Sequence, residues 1–168
     1  FSVAALQGGA AHVLHLDMAA GALSIGKQNH RANGLERNAG FLPHDLFSSW
    51  GRVIRGGPYD LVIADPSAYQ KGSFVATKDW PRLVRRLPEL LAPQGHALLC
   101  LNAPELDTAF LHDAVRTHAP ELSFVERLAN PPVYADRDPE RALKVMVFRR
   151  GSASASGSPF ESTPDDPG

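Results

Sequence analysis

The sequence predicts an α/β fold, in which a mainly parallel sheet carries helices on both faces and ends in an antiparallel hairpin. Short apolar runs with the period of a strand alternate with longer segments that have the period of a helix. This alternation is typical of parallel strands joined by helical crossovers. The last two apolar runs, residues 122–128 and 143–149, have no helix between them. We therefore expect them to pair antiparallel at the edge of the sheet.

Periodicity, glycines and prolines place the individual elements. Strands are predicted at residues 12–17, 38–42, 59–65, 96–101, 122–128 and 143–149, and helices at residues 1–7, 20–33, 45–55, 78–91 and 104–118. Gly34 is placed to end the second helix. Asp45 has the side chain of an N-cap. Pro88 should bend or shorten the end of the fourth helix, because proline lacks the N–H that a helix interior requires.

The composition indicates one globular domain followed by a short tail. The chain has 168 residues, 43% of them apolar, which suffices for a sizeable core. We expect residues 1–150 to form the domain. Residues 151–168 consist of Ser, Ala, Gly, Pro, Thr and acids, with Phe160 as the only large apolar side chain. This tail cannot bury enough surface to offset its ordering entropy, so we expect it to be disordered.

Charge and cysteine content weigh against several classes of protein. The chain carries 17 basic and 18 acidic residues, which gives no independent argument for a nucleic-acid partner. The single Cys100 cannot form an intrachain disulfide and fits a reducing compartment, so we expect a cytoplasmic protein. No apolar run is long enough to span a membrane. The histidines show no zinc-type spacing with cysteine, so we expect no metal.

Two predicted strands end in an acid. Asp65 follows the apolar run 59–64 and precedes Pro66, which stops the strand and stiffens the turn. Asp17 follows the run 12–16 in the same way. The carboxyl ends of parallel strands form the edge at which such sheets bind ligands. The two acids therefore predict one polar ligand that is reached from neighbouring strands.

Several motifs, in order, resemble those of the class I S-adenosylmethionine-dependent methyltransferases, a Rossmann-like family whose sheet ends in an antiparallel hairpin. Within it, the chain is similar to the bacterial 23S ribosomal RNA large-subunit methyltransferases. Residues 1–10 are similar to the helix after the family's Gly-rich first loop, and residues 16–18, 22–23, 29 and 33–35 are similar to its second strand and helix. Residues 65–69 and 71–74 are similar to its fourth-strand motif, which is usually Asp-Pro-Pro followed by an aromatic residue. Residues 90–95 are similar to the turn before its fifth strand. The resemblance extends from residue 1 to about residue 150.

The sequence departs from the family in two places. It has neither the family's first strand nor the Gly-rich loop that wraps the methionine part of the cofactor, and it opens at Phe1 in a helical pattern. We therefore expect an N-terminally truncated domain whose second and fourth strands lack the neighbour that they share. Unpaired strand edges are costly to bury, so we expect the isolated chain to bind cofactor weakly or not at all. Ser67 also replaces the second proline of the fourth-strand motif.

The resemblance implies S-adenosylmethionine as cofactor and a role for each strand-end residue. Asp17 would accept hydrogen bonds from the ribose hydroxyls, and Met18 would lie against the adenine face. Asp45 would accept from the adenine amino group, with Leu46 beside it. The remaining roles concern the reaction itself, in which Asp65 and Pro66 would face the methyl group and the target base, and Asn102 and Tyr69 would contact the substrate. The substrate implied is a base of ribosomal RNA, flipped out or single-stranded because the methyl donor cannot reach it within a stack.

Each of these residues also has a plainer interpretation. Asp17 could cap the following helix, Asp45 could be only an N-cap, Met18 could fill the core, and Asp65 could simply end its strand. For the whole chain, one alternative is a methyltransferase that acts on a protein or a small molecule. Another is a Rossmann-like nucleotide-binding module without transferase activity.

Three further features are less informative than they first look. Cys100 could be the nucleophile of a cytosine C5 methyltransferase, but it lies inside an apolar run, and the family's nucleophile lies nearer to Asn102, so we expect a core thiol. Residues 130–134, Asn-Pro-Pro-Val-Tyr, mimic the motif of amino-methylating enzymes but fall between the last two strands, where we expect a loop. The four basic residues of the fourth helix could face RNA, although a solvated face is the usual explanation.

Overall fold

The computed structural model describes residues 1–67, 74–134 and 136–152, and it confirms the α/β fold. In chain order the helices and strands are α1 (Ser2–Gln7), β1 (Val13–Leu16), α2 (Ala20–Ala32), β2 (Ala39–Leu42), α3 (Trp50–Arg55), β3 (Tyr59–Ala64), α4 (Ala76–Val84), α5 (Leu87–Leu90), β4 (Leu91–Leu101), α6 (Thr108–His118), β5 (Leu122–Leu128) and β6 (Lys144–Arg150). Short 3-10 turns lie at Glu36–Asn38, Leu46–Ser48 and Pro132–Tyr134. None of the helices in these ranges is long and apolar enough to cross a membrane.

The chain divides into two compact units, and the first comprises Phe1–Tyr59. Its sheet has two strands, in which β1 and β2 run parallel with Leu16 opposite Leu42. A parallel pair needs a crossover connection, and α2 supplies it. The N–H of Asp17 donates to the carbonyl oxygen of Leu42 at 3.2 Å, which carries the pairing one residue beyond β1.

The second unit, Asp60–Gly168, contains a four-stranded sheet in the order β3-β4-β6-β5. Strand β6 pairs antiparallel with both β4 and β5, so the predicted C-terminal hairpin is confirmed. Within the hairpin, β5 forms the sheet edge while β6 lies between β5 and β4. Because both β4 and β5 run opposite to β6, their carboxyl ends share one edge of the sheet with the start of β6.

Strands β1 and β3 belong to different sheets. The resemblance predicts a break at this point, because in the family one strand pairs with both. The truncated single domain of residues 1–150 stays a prediction. The tail is described only for Gly151 and Ser152, so the expected disorder of residues 153–168 lies outside the described residues.

The core of the second unit forms where α4, α5 and α6 pack their apolar faces against the sheet. Trp80, Leu83, Val84 and Leu87 recur at helical spacing on α4 and α5 and are at most 4% exposed. They join the buried side chains of the strands and of α6, among them Leu91, Leu99, Leu101, Leu111, Met146 and Phe148. Large side chains in these positions supply most of the apolar burial that stabilises the unit.

Several element boundaries differ from the sequence-based prediction. The helix predicted at residues 45–55 is a 3-10 turn at Leu46–Ser48 followed by α3. Three further differences have local reasons. The helix predicted at residues 78–91 is two helices, because Pro88 has no N–H to donate to Val84, where α4 ends. Strand β4 begins at Leu91 and passes through Gln94, whose φ of 66° lies in the left-handed region, so it starts before the predicted residue 96. Helix α6 begins at Thr108 rather than at residue 104, because the Asp107 side chain accepts the N–H of Phe110 at 3.2 Å and caps it there.

A cluster of three rings fills the first unit beneath its sheet. The rings of His15 and Phe41 stack with centroids 4.7 Å apart, and the His30 ring meets both of them edge-on. The Nε2 atoms of His15 and His30 are buried, and neither has a hydrogen-bond partner among the described residues. Burial lowers the pKa of His15, and the charge of His30 adds to the effect. The cluster therefore packs best with His15 neutral.

We expect mild acid to destabilise the first unit through His15. In the unfolded chain His15 binds a proton near its usual pKa of about 6.5, whereas the folded chain takes it up only at lower pH. The neutral His15 side chain therefore contributes fully to the stability of the folded chain above the unfolded pKa, and this contribution is lost as pH falls through the folded pKa. His15→Phe keeps an aromatic ring and should flatten the decline of Tm between neutral and mildly acidic pH, as measured by circular dichroism.

The exposed His12, replaced by Phe in the same way, is the matched control and should leave the decline of Tm unchanged. An identical pH dependence of Tm in wild type and His15→Phe would contradict the prediction.

Candidate functional site

The carboxyl edge of the first unit's sheet brings Asp17 and Asp45 to the ends of adjacent parallel strands. Asp17 is exposed, and its Oδ1 accepts the N–H of Ala19 at 2.7 Å. Ala19 is the N-cap of α2 and has no side-chain cap, so Asp17 orders the turn before the helix without capping it. Among the described residues no partner lies on Oδ2 of Asp17. The edge therefore presents a carboxylate oxygen that can accept from a ligand.

Met18 lies beside Asp17 and is 57% exposed. The interpretation of Met18 as a core residue is therefore wrong. An exposed thioether next to a strand-end acid gives a polarizable apolar surface on which a flat ring can rest.

Asp45 caps the 3-10 turn Leu46–Ser48. Its Oδ2 accepts the N–H of Ser48 at 3.0 Å, while the Ser48 hydroxyl donates to the Asp45 carbonyl at 3.1 Å. The predicted N-cap is confirmed, and both Asp45 and Leu46 are half-buried. The cap occupies only one carboxylate oxygen of Asp45, and the other oxygen can still accept a hydrogen bond from a ligand. The contact of Asp45 with adenine stays a prediction.

The second unit has its own acidic strand end at Asp65. Asp65 follows β3 directly, is exposed, and is followed by the half-buried Pro66. The exposed Asn102 follows β4, the neighbour of β3, in the same way. Strands β3 and β4 are neighbours in the sheet, and the charge of Asp65 contributes to the raised pKa of Cys100 near the end of β4. Asp65 and Asn102 therefore mark the same edge of the four-stranded sheet.

Although the Asp65 residue as a whole is exposed, nearby protein atoms partly desolvate its carboxyl group and raise its pKa above the usual value of an aspartic acid. The carboxylate thus occupies a position where water solvates it incompletely, and no described residue forms an ion pair with it. A group of this kind interacts more strongly with a polar ligand than a fully hydrated acid would. The role of Asp65 in ligand binding therefore stays a prediction, beside its position as a strand terminator.

Cys100 is a core thiol. It is 4% exposed, and burial together with the nearby Asp65 raises its pKa to about 11. At neutral pH the side chain is therefore a protonated thiol, which is neither a nucleophile nor a metal ligand. Among the described residues no group of three His, Cys, Asp or Glu side chains could hold a metal ion.

Two other features of the sequence lie in a loop and on the fourth predicted helix. The motif at residues 130–134 lies in the loop between β5 and β6, where Val133 and Tyr134 are 83% and 77% exposed. On α4, Arg82 pairs at 2.7 Å with the buried Asp79, and after the helix Arg86 pairs with Glu89 at 2.9 Å, so the contact of these basic residues with RNA stays a prediction. Tyr69, the predicted substrate contact, lies outside the described residues.

Sequence reasoning missed a polar cluster at the start of β6, formed by Arg127, Glu140 and Lys144. Lys144 is fully buried. The signal for it was a lysine directly before the apolar run of the last strand, which lies between β4 and β5 inside the sheet. A lysine is rarely buried without specific partners.

The strand-end residues of the first unit fit the cofactor that the resemblance implies. The available Oδ2 of Asp17 can accept hydrogen bonds from ribose hydroxyls, and the exposed Met18 can lie against adenine. The second oxygen of Asp45 can accept from an exocyclic amino group. These donor and acceptor types are those that an adenosine group requires.

Known structures share the fold. An S-adenosylmethionine-dependent methyltransferase from Streptococcus mutans superposes with a TM-score of 0.78, at 24% identity over 88% of this chain and 41% of that chain. At this identity the similarity shows the fold, and it agrees with the class I methyltransferase architecture.

The curated relatives of this chain include enzymes named for ribosomal RNA and an enzyme named for a release factor. Ribosomal RNA large subunit methyltransferase I of Serratia proteamaculans is 39% identical over 165 residues, which cover 89% of this chain and 41% of the relative. Release factor glutamine methyltransferase of Chlorobaculum tepidum is 27% identical over 99 residues, which cover 57% of this chain and 34% of the relative. The chain thus spans about two fifths or less of the length of these relatives.

The family model for S-adenosylmethionine-dependent methyltransferases matches residues 1–149, which include the first unit, most of the second and every strand-end acid. The cofactor of this family is S-adenosylmethionine, in agreement with the acceptors at the ends of β1 and β2. The chain belongs to the S-adenosylmethionine-dependent methyltransferase family.

Proposed function

We propose that this chain takes part in the transfer of a methyl group from S-adenosylmethionine to a base of ribosomal RNA. The observation that carries the proposal is the similarity, over most of the chain, to enzymes named ribosomal RNA large subunit methyltransferase I. A ribosomal substrate would also place the reaction in the cytoplasm.

The residues of the first unit would hold the cofactor. When bound, S-adenosylmethionine supplies an electrophilic methyl group on a positively charged sulfur. Asp17 would accept from the ribose hydroxyls through its available oxygen, and Met18 would cover one face of the adenine ring. Asp45 would accept from the adenine amino group. These contacts are hydrogen bonds and dispersion, so they fix the position of the cofactor without taking part in bond making.

Asp65, Pro66 and Asn102 would position the substrate. Methyl transfer needs the accepting atom in line with the methyl group and free of water, so positioning is the main catalytic device. The incompletely solvated carboxylate of Asp65 can accept from an N–H group of a base, and Asn102 can contact the edge of the same base. Pro66 holds the turn after Asp65 rigid. The methyl donor cannot reach a base that remains stacked, so the base would be flipped out or single-stranded.

The burial and protonation of the Cys100 thiol bear on which atom of the base accepts the methyl group. A cytosine C5 enzyme attacks the ring with a thiolate, whereas Cys100 is buried with a pKa of about 11. We therefore favour a nitrogen atom or a guanine as the methyl acceptor. A protein substrate is the second candidate, because a relative named release factor glutamine methyltransferase also matches the chain.

A labelling experiment tests the choice of substrate. The natural gene product that carries this sequence is incubated with S-adenosylmethionine labelled in the methyl group, together with undermodified ribosomal RNA or with ribosomal and release-factor protein. We expect label in a base of the RNA after digestion to nucleosides. Label that stays with protein after nuclease treatment would contradict the proposal and favour the second candidate.

A further inference from the structure

A buried cation lies at the edge of the sheet that carries Asn102. Lys144 is the first residue of β6, pairs in register with Leu101 of β4, and is fully buried. Its Nζ donates to the carbonyl oxygen of Ala103 at 3.0 Å and to that of Glu140 at 2.8 Å. Ala103 directly follows Asn102. The amine therefore joins the segment after β4 to the loop that precedes β6.

The Glu140 side chain makes a second connection between the same two segments. Its Oε2 accepts the N–H and the hydroxyl of Thr108, the first residue of α6, at 2.8 and 3.0 Å. Its Oε1 accepts from Arg127 at 2.5 Å, and Arg127 also donates to the carbonyl of Pro139. The N–H of Thr108 is the main reason that the pKa of Glu140 is lowered, so the carboxylate is ionised at neutral pH.

The two connections fix both ends of the segment between β4 and α6. Lys144 holds it at Ala103, next to Asn102, and Glu140 holds it at Thr108. Within the segment, the N–H of Leu106 donates to the carbonyl of Ala103 at 3.1 Å. The position of Asn102 at the sheet edge thus depends on contacts from residues that are close to β6 in sequence.

A buried charge is a weak source of stability, since apolar side chains of similar volume often stabilise a core as well or better. Burial also lowers the pKa of Lys144, as expected where desolvation opposes the charged form. A lysine in this place is therefore better explained by what its directed hydrogen bonds hold in position than by the stability of the sheet.

We infer that Lys144 is a positioning residue, which fixes the segment of residues 102–107 so that Asn102 meets the substrate at a set place on the sheet edge. This inference rests on the proposed function, because Asn102 is assigned to the substrate there. Lys144 itself touches neither cofactor nor substrate.

Hydrogen exchange tests the local part of the inference without any assay of activity. In Lys144→Met the amides of Leu106 and Thr108 should exchange faster than in wild type, while amides of the first unit should not change. Lys27→Met makes the same chemical change at a lysine whose amine lies over the Phe41 ring in the first unit, and should leave residues 102–108 unaffected. Unchanged exchange at Leu106 and Thr108 in folded Lys144→Met would overturn the inference.

A double-mutant cycle tests the functional part. In the natural gene product, Lys144→Met should lower kcat for RNA methylation by about tenfold to a hundredfold with the Kd of S-adenosylmethionine unchanged, as displaced substrate contacts do. In an Asn102→Ala background the same change should have little further effect, because coupled residues are not additive. Lys144→Arg, which keeps a cationic donor, should restore part of the rate. If Lys144→Met does not fold, Lys144→Gln takes its place in the cycle.

The outcomes separate the two proposals. Equal effects of Lys144→Met in the presence and absence of Asn102 would show that Lys144 does not act through Asn102, and would overturn the inference alone. Failure of the wild-type protein to label any RNA would refute the proposed function instead, and with it the substrate role of Asn102. Exchange at Leu106 and Thr108 would then still decide whether Lys144 holds the segment.

Discussion

Replacing Asp65 by alanine should reduce methyl transfer by about a hundredfold or more, because a misplaced acceptor alone has an effect of this size. Cys100→Ser should in contrast keep most of the wild-type rate, since the thiol is 4% exposed and protonated at neutral pH. The two residues lie at the ends of neighbouring strands, so one variant is the matched control for the other. Incorporation of labelled methyl groups into undermodified ribosomal RNA measures both.

Asp65→Asn serves as the control for folding. Partial burial raises the pKa of Asp65, so the folded chain favours the protonated acid over the carboxylate. The protonated Asp65 side chain therefore contributes to the free energy of unfolding below the unfolded pKa of about 3.9, and this contribution is lost as pH rises through the folded pKa. At neutral pH the ionised side chain therefore adds nothing to stability, and Asp65→Asn should melt at the wild-type temperature or above it.

Abolished transfer in a folded Cys100→Ser protein that still binds S-adenosylmethionine would overturn this assignment. It would require a thiolate attack and make the protein a cytosine C5 methyltransferase. Nearly normal transfer in Asp65→Ala would return Asp65 to the role of a strand terminator.

The parts of the fold that depend on local chemistry were predictable from the sequence. The acid after an apolar run placed Asp17 and Asp65 correctly at strand ends, and the side chain of Asp45 identified a cap that the structure contains. Pro88 ended a helix as expected, although it split the predicted element in two. Each of these outcomes is decided by one or two neighbouring residues, so a single sequence contains the information.

The parts that depend on distant contacts were not predictable. Lys144 is buried because its amine meets Ala103, which is 41 positions earlier in the chain. The rings of His15, His30 and Phe41 meet because α2 returns β2 to the side of β1, and their spacing in the sequence shows no pattern. The sequence favoured neither a core position for Met18 nor a contact with adenine, because the surroundings of Met18 are set by the turn that Asp17 forms with Ala19.

Asp17→Ala in the natural gene product should weaken the binding of S-adenosylmethionine by about one to two decades in Kd. The variant removes charge-assisted hydrogen bonds to two ribose hydroxyls, which contribute about 1.5–3 kcal/mol. The fold should survive, because Asp17 is exposed and its one bond within the protein joins it to Ala19. Calorimetric titration measures the Kd, and circular dichroism checks the fold.

Asp17→Asn separates the turn from the ligand contact. The amide oxygen of Asn can still accept the N–H of Ala19 and order the turn before α2, but the carboxylate charge is gone. If Asp17 binds ribose, Asp17→Asn should lose much of the affinity that Asp17→Ala loses, since the charge carries most of the hydrogen-bond strength. If Asp17 serves only the turn, Asp17→Asn should bind cofactor as wild type does. A wild-type Kd in both variants would remove Asp17 from the cofactor site.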